Sequence, residues 1–319
     1  MTSLRRWFGL AQGQLAFVLR GFVLRGFVLV AFVLLALGSD LQRVNGQSSD
    51  ASRSRKIVLV AGETAKVDKV GHHDYIAGCK CLEALLRQTD GVSVVQVLDG
   101  WPTDESLFEG ASAVVFYTDG GGKQAFLSSP QRVEKLQAMV DAKVGIVMIH
   151  QAVDFPDAFA EQAKSWLGGI YLTGKSGRGH WDSKHVDFPD HPTTRGVTPW
   201  EINDGWLNKI QFVDEMRGIT PLVWSGKEYA GSRAGLNDDI VAWAYERPAG
   251  GRSFSFTGLD AHSAWSLDGM RKFVTNGVLW SAGVDIPAEG APCKTTESEL
   301  TAMQTPRQQP KPAKSKDKS

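Results

Sequence analysis

Residues 144–152 read Val-Gly-Ile-Val-Met-Ile-His-Gln-Ala. Six residues in a row offer no polar side chain, so neither face of this stretch is suited to water. That is the pattern of a strand buried on both sides in a parallel sheet. The switch to His150-Gln151 is abrupt. A polar residue at such a strand-to-helix turn stands at the head of the sheet, as in a nucleophile elbow. Here the elbow holds His, which serves as an acid, a base or a metal ligand rather than as a covalent nucleophile.

Working outward, the chain alternates strand and helix. Residues 56–61, 92–98 and 113–117 are apolar β-branched runs. The spacing of Ile76, Cys79, Leu82, Leu85 and Leu86 predicts a helix over 74–88, with Asp74 as its N-cap. A second helix is expected over 130–142, beginning at Pro130, and a last one over 267–282. Further strands are expected at 185–188, 221–224, 239–245 and 252–257. The β-α-β-β-α-β order predicts an α/β fold with a mostly parallel sheet and helices on both faces. No linker divides residues 55–287, which read as one domain.

Ligands of open parallel sheets bind beyond the carboxyl ends of the strands. That rule selects the loops 62–75, 99–101, 118–123, 150–155 and 258–265. Three of them carry histidine: His73, His150 and His262. Convergence of these three would build a divalent-metal or acid/base site. Adjacent side chains diverge, so only one of His72 and His73 is expected to face the cleft. The loop Asp119-Gly120-Gly121-Gly122 lacks P-loop spacing, but its N–H groups could cradle a polarised oxygen. No nucleotide cofactor is expected. His180, His185 and His191 read as surface or turn residues, and 173–179 as a Gly-rich rim loop. Trp166, Trp243 and Trp280 read as core. Trp101, Trp181, Trp206 and Trp265 fall in predicted loops, where a ring face can stack on a sugar. Cys79 or Cys81 could bridge to Cys293, and no cysteine is placed for catalysis.

The ends differ from the middle. Residues 1–46 carry five Arg and one Asp, with an unbroken apolar run from Gly26 to Gly38. This is the length of a secretory leader and short of a membrane span. A signal peptide or signal anchor predicts export to the periplasm or cell envelope. The alternative is an inner-membrane anchor with the domain outside. Residues 288–319 read as a disordered basic tail. Between the ends, residues 47–289 hold 24 Lys+Arg against 31 Asp+Glu, an excess of acid that disfavours nucleic acid as a partner. Nothing in the sequence fixes the oligomeric state.

Four stretches carry a resemblance to a known family: GHHDYIAGCKCLEALL after the first strand, VGIVMIHQA, HPTTRGVTPWEINDGW (191–206) and GGRSFSFTGLDAHSAWSLDGMRKFVTNGVLWSAG (250–283). Together they resemble the ThuA-like (trehalose utilisation) family, whose fold is flavodoxin-related and like the class I glutamine amidotransferases. The resemblance implies carbohydrate catabolism, of disaccharides or their 3-keto derivatives, with a small carbohydrate as substrate. Two positions depart from the family pattern. Asp204-Gly205 stands where the family has Asp-Glu, and Leu259-Asp260 stands where it has Gly-His. The expected enzyme is a hydrolase, lyase or isomerase and not an amidotransferase. It would use His150, His262 and Asp204 in catalysis, and Asp119, the three glycines, Gln151 and Trp265 at the substrate. The alternative is a non-catalytic carbohydrate-binding or scaffolding domain.

Overall fold

A computed structural model describes residues 54–63, 71–225 and 237–306. The expected leader, residues 1–46, lies outside the described residues. Among the described residues there are eleven strands: β1 (Arg55–Ala61), β2 (Val92–Val97), β3 (Ala111–Tyr117), β4 (Gly145–Ile149), β5 (Gly169–Ile170), β6 (Gly177–His185), β7 (Trp200–Asn208), β8 (Gln211–Phe212), β9 (Ile219–Trp224), β10 (Ile240–Glu246) and β11 (Arg252–Phe256). Five α-helices accompany them: α1 (Tyr75–Leu86), α2 (Pro130–Asp141), α3 (Ala160–Leu167), α4 (Asp268–Ser281) and α5 (Glu297–Met303). The main sheet runs β2-β1-β3-β4-β11-β10-β9, and β10 alone opposes the other strands. Its first five strands follow the flavodoxin-like order.

Period-two alternation divides each central strand between two cores. Ile57, Leu59 and Ala61 pack with α1 and α4, while Val58 and Val60 turn to the face covered by α2 and α3. The parallel register then fixes the site. Ala61 pairs with Tyr117, Tyr117 with Ile149, and Ile149 with Phe256. Four strands therefore end level, and the loops after β1, β3, β4 and β11 leave the sheet side by side. Asp74 caps α1 as expected, accepting from the Ala77 N–H at 3.2 Å.

Several elements differ from the sequence expectation. Residues 186–188 are not a strand. The strand is β6, which pairs with β7 as a separate two-stranded ribbon and takes in the end of the supposed rim loop. Its buried Trp181, Ser183 and His185 alternate with exposed residues, a period-two signal hidden by the glycines at 177 and 179. The tail is ordered as far as residue 306. Ala291, Cys293 and Leu300 are buried, and α5 carries a Thr296–Glu299 capping box. Enough apolar side chains recur at wide spacing to dock this polar segment on α1. Residues 307–319 lie outside the described residues. The expected disulfide does not form: Cys79, Cys81 and Cys293 are all free and buried. Burial pushes the Cys81 thiol up to about 12, which removes it as a nucleophile. Trp101, Trp181, Trp206 and Trp265 are buried, so none offers a ring face to a sugar.

His185 ends β6, 4% exposed, with Ser183 Oγ 2.7 Å from its Nε2. Burial lowers its pKa to about 4. In the unfolded chain it titrates near 6.5, so protonation favours unfolding. Its stabilising effect is complete above pH 6.5 and is lost as the pH falls through 4. Denaturant titrations of His185→Asn should therefore lose less stability than wild type between pH 6.5 and 4, by up to about 3 kcal/mol. Parallel pH curves for the two proteins would refute the assignment.

Candidate functional site

Asp260 follows β11 and points its carboxylate into a ring of imidazoles. His72 Nδ1 and His180 Nε2 lie 2.7 and 2.8 Å from Oδ2. His73 Nε2 and His150 Nε2 lie 2.7 and 3.3 Å from Oδ1. Asp260 is 2% exposed. Burial opposes its ionisation, but the closeness of His150, His73 and His72 outweighs this and holds the carboxyl well below the usual range.

Each member is positioned by its backbone. The loops after β1 and β11 are tied by a bridge between His72 and Ala261, by His73 N–H to Asp260 C=O, and by His262 N–H to Gly71 C=O. His73 has a left-handed backbone, φ 49°. That bend brings both adjacent imidazoles to one carboxylate, against the expectation that only one would reach the cleft. His150 at the end of β4 is also left-handed, φ 57°. Strained backbone of this kind clusters at functional sites. The ribbon delivers His180, which pairs with Gly205 across β6 and β7.

Asp204 is buried, and its carboxylate accepts the N–H groups of Gly205, Leu259 and Ala261 at 2.9, 2.7 and 3.1 Å. Its expected catalytic role is therefore corrected: both oxygens are occupied holding the Asp260 loop, and Asp204 is a positioning residue. Burial raises its pKa, against the nearby His150 and these three N–H donors. Tyr117 OH donates to the Leu259 carbonyl from the other side.

His73 and His150 each have an outer partner. His150 Nδ1–H donates to the Thr257 carbonyl at 2.9 Å, which orients the ring with Nε2 toward Asp260. His73 Nδ1 is 3.5 Å from Asp119 Oδ1, which also accepts the Tyr75 hydroxyl at 2.6 Å. Burial opposes a proton on His73, but Asp119 and Asp260 prevail and raise it to about 9. Asp119 is in turn held at about 2, with His73 the leading cause. Gln151 Nε2 lies 3.3 Å from His73 Nε2, as a group at the opening should.

Other expected groups have other duties. His262 turns away from Asp260 and donates from Nε2 to the Leu300 carbonyl at 2.8 Å, anchoring α5. Trp265 is fully buried. The loop 119–122 is a closed turn: Gly121 N–H goes to the Asp154 carbonyl, Gly122 N–H to Gln124 Oε1 and Lys123 N–H to the Gly120 carbonyl. Those donors are consumed within the protein, so the loop contributes Asp119 and not an oxyanion cradle. Sequence reasoning missed Asp260, His72 and His180. Asp260 stands two residues from the His262 that was chosen, inside a loop already selected by topology.

A doubly wound sheet with ionisable groups at level strand ends, and histidine at the elbow, defines a flavodoxin-related protein of the class I glutamine amidotransferase-like type without the thiol. The sequence pattern of the ThuA family, described as trehalose utilisation, matches residues 57–281, and the chain belongs to that family. Among solved structures it is similar to a ThuA-like protein from Parabacteroides merdae, at 15% identity and a TM-score of 0.54, over 78% of this chain and 99% of that one. A ThuA-like protein from Bacteroides uniformis is similar at 12% identity and a TM-score of 0.54, over 76% and 96% of the two chains. No curated protein sequence matches it.

Gly205 makes room for Asp260. A Cβ at 205 would lie 2.8 Å from the Asp260 Cβ and 2.9 Å from its Cγ. Gly205→Ala should therefore displace the carboxylate and cost about 1–3 kcal/mol in denaturant unfolding. Gly179→Ala on the neighbouring strand, where a Cβ meets Trp181 at an ordinary 3.6 Å, should cost less. Equal costs would show that the glycine serves only the ribbon.

Proposed function

We propose that this chain is an enzyme of carbohydrate utilisation that works with a divalent cation held by His73, His150 and Asp260. The observation that carries the proposal is the state of the buried atoms between them. His150 Nε2 is shielded from solvent and has no hydrogen-bond partner among the described residues, although the ligand atoms of the three residues lie within 4.8 Å of one another. Native proteins rarely leave such groups unpaired. Two imidazoles and a carboxylate oxygen suit zinc, manganese or iron, with positions left for substrate.

Bound there, a cation would polarise a carbonyl or hydroxyl oxygen of the sugar. The protein residues set its surroundings. The Thr257 carbonyl and Asp119 hold the two imidazoles in register, and Asp204 holds the loop that carries Asp260. Gln151 and Asp119 remain as polar groups at the opening, where sugar hydroxyls would be received. A carbonyl at C3 acidifies the neighbouring C–H bonds, so 3-keto-disaccharides are substrates on which a polarised oxygen and one base suffice for elimination. The alternative of a binding domain looks to Trp181, Trp206 and Trp265 for sugar contacts, and all three are buried. We also propose that the leader exports the chain.

The full chain, stripped with a chelator and reloaded with Zn²⁺ or Mn²⁺, should convert trehalose or its 3-keto derivative, read by mass spectrometry. His150→Ala should lower kcat/KM at least 100-fold with unchanged circular dichroism. Absence of turnover with every divalent metal, on both sugars, would count against the enzyme. Fractionation of expressing cells tests export: the chain should be recovered from the envelope, and a purely cytosolic product would reject it.

A further inference from the structure

His72 and His180 play no part in the set just described, yet they repeat its geometry on the other oxygen of the same carboxylate. His72 Nδ1, His180 Nε2 and an Asp260 oxygen form a second group whose ligand atoms lie within 4.8 Å of one another. Each Asp260 oxygen thus faces two imidazole nitrogens, at 2.7 and 2.8 Å on one side and 2.7 and 3.3 Å on the other. Within each pair the rings lie side by side: His73 and His150 meet edge to face at 5.1 Å, and His72 and His180 are tilted at 6.1 Å.

We infer that the site holds two divalent cations, with Asp260 bridging them through its two oxygens. The inference rests on the cation reading above and extends it. A carboxylate can carry one metal on each oxygen, and paired metals in enzymes stand about 3.5–4 Å apart, the span a bridging carboxylate imposes.

The two positions are not equivalent. The inner pair is enclosed, with the His150 and His73 side chains 3% and 21% exposed. The outer pair is open, with His72 and His180 at 27% and 55%. The inner ion should bind first and tightly, the outer ion later and more weakly. Both positions have only three protein ligands, so each leaves room for an oxygen of the substrate. Two such ions side by side fit a substrate that presents oxygens on adjacent carbons, as a sugar diol or a keto-alcohol does.

The test is metal stoichiometry. The full chain, stripped with a chelator, is dialysed against graded Zn²⁺ and its bound zinc is measured by elemental mass spectrometry. Wild type should bind two ions in separable steps. His180→Ala and His180→Asn should bind one, in the tighter step. His180 is exposed on β6, so neither variant should disturb the fold, and matched thermal unfolding without metal checks this. Asp260→Asn should lose both. A single ion in wild type, lost in His150→Ala and kept in His180→Ala, would overturn the bridged pair and leave the proposed function standing. No ion at all would overturn both. Two ions in wild type and still two in both His180 variants would place the second elsewhere and also reject the bridge.

Discussion

The structure turns on one buried carboxylate. Asp260 sits among four imidazoles at the head of a parallel sheet, and nearly every unusual feature nearby exists to keep it there. Asp204 supplies an acceptor for three N–H groups of the surrounding backbone, which would otherwise be orphaned in a dry interior. Tyr117 fastens the Leu259 carbonyl from the sheet. His73, His150 and Leu259 all adopt left-handed backbone, a conformation that non-glycine residues take at a cost of about 1–3 kcal/mol each. Rigid strands on both sides hold that strain in place.

The two departures from the family pattern become a single exchange once the loops are assembled. The chain lacks the glutamate that the family pattern sets at position 205, and it carries an aspartate at 260 where that pattern has histidine. Gly205 and Asp260 are in contact, and the glycine leaves the space that the aspartate fills. An imidazole likewise reaches Asp260 from the ribbon, through His180, the cross-strand partner of Gly205. Read position by position, the departures suggest loss of function. Read in space, they keep the same types of group together.

A second layer lies behind the first. His262 reaches the Leu300 carbonyl, and Thr305 bonds to Asp74 through its N–H at 2.8 Å and its hydroxyl at 2.7 Å. Both contacts join the C-terminal segment to loops that carry ligand residues. The segment is polar enough to resemble a tail, but its few apolar residues face α1 and α4. Asn276 on α4 accepts the Ala291 N–H, and Gln88 at the end of α1 exchanges amide hydrogen bonds with Lys294. Side chain and backbone share this docking, which is why hydrophobicity alone did not reveal it.

The sequence by itself determined the sheet, its direction and the edge at which the ionisable loops gather. Apolar runs such as 144–149 admit no other environment, and parallel strands must end where their loops begin. It also picked out His73, His150, Asp119 and Gln151 as candidates, because each lies in a loop that follows one of those strands. Only the tertiary structure decided which groups meet. Asp260 and His262 share a loop, and a turn of the backbone sends one into the site and the other to α5. His72 joins His73 because one residue is left-handed, and His180 arrives from a ribbon whose glycines masked its strand character. Such choices depend on dihedral angles and on contacts between residues 80 to 190 positions apart, and neither leaves a periodic trace in a single chain.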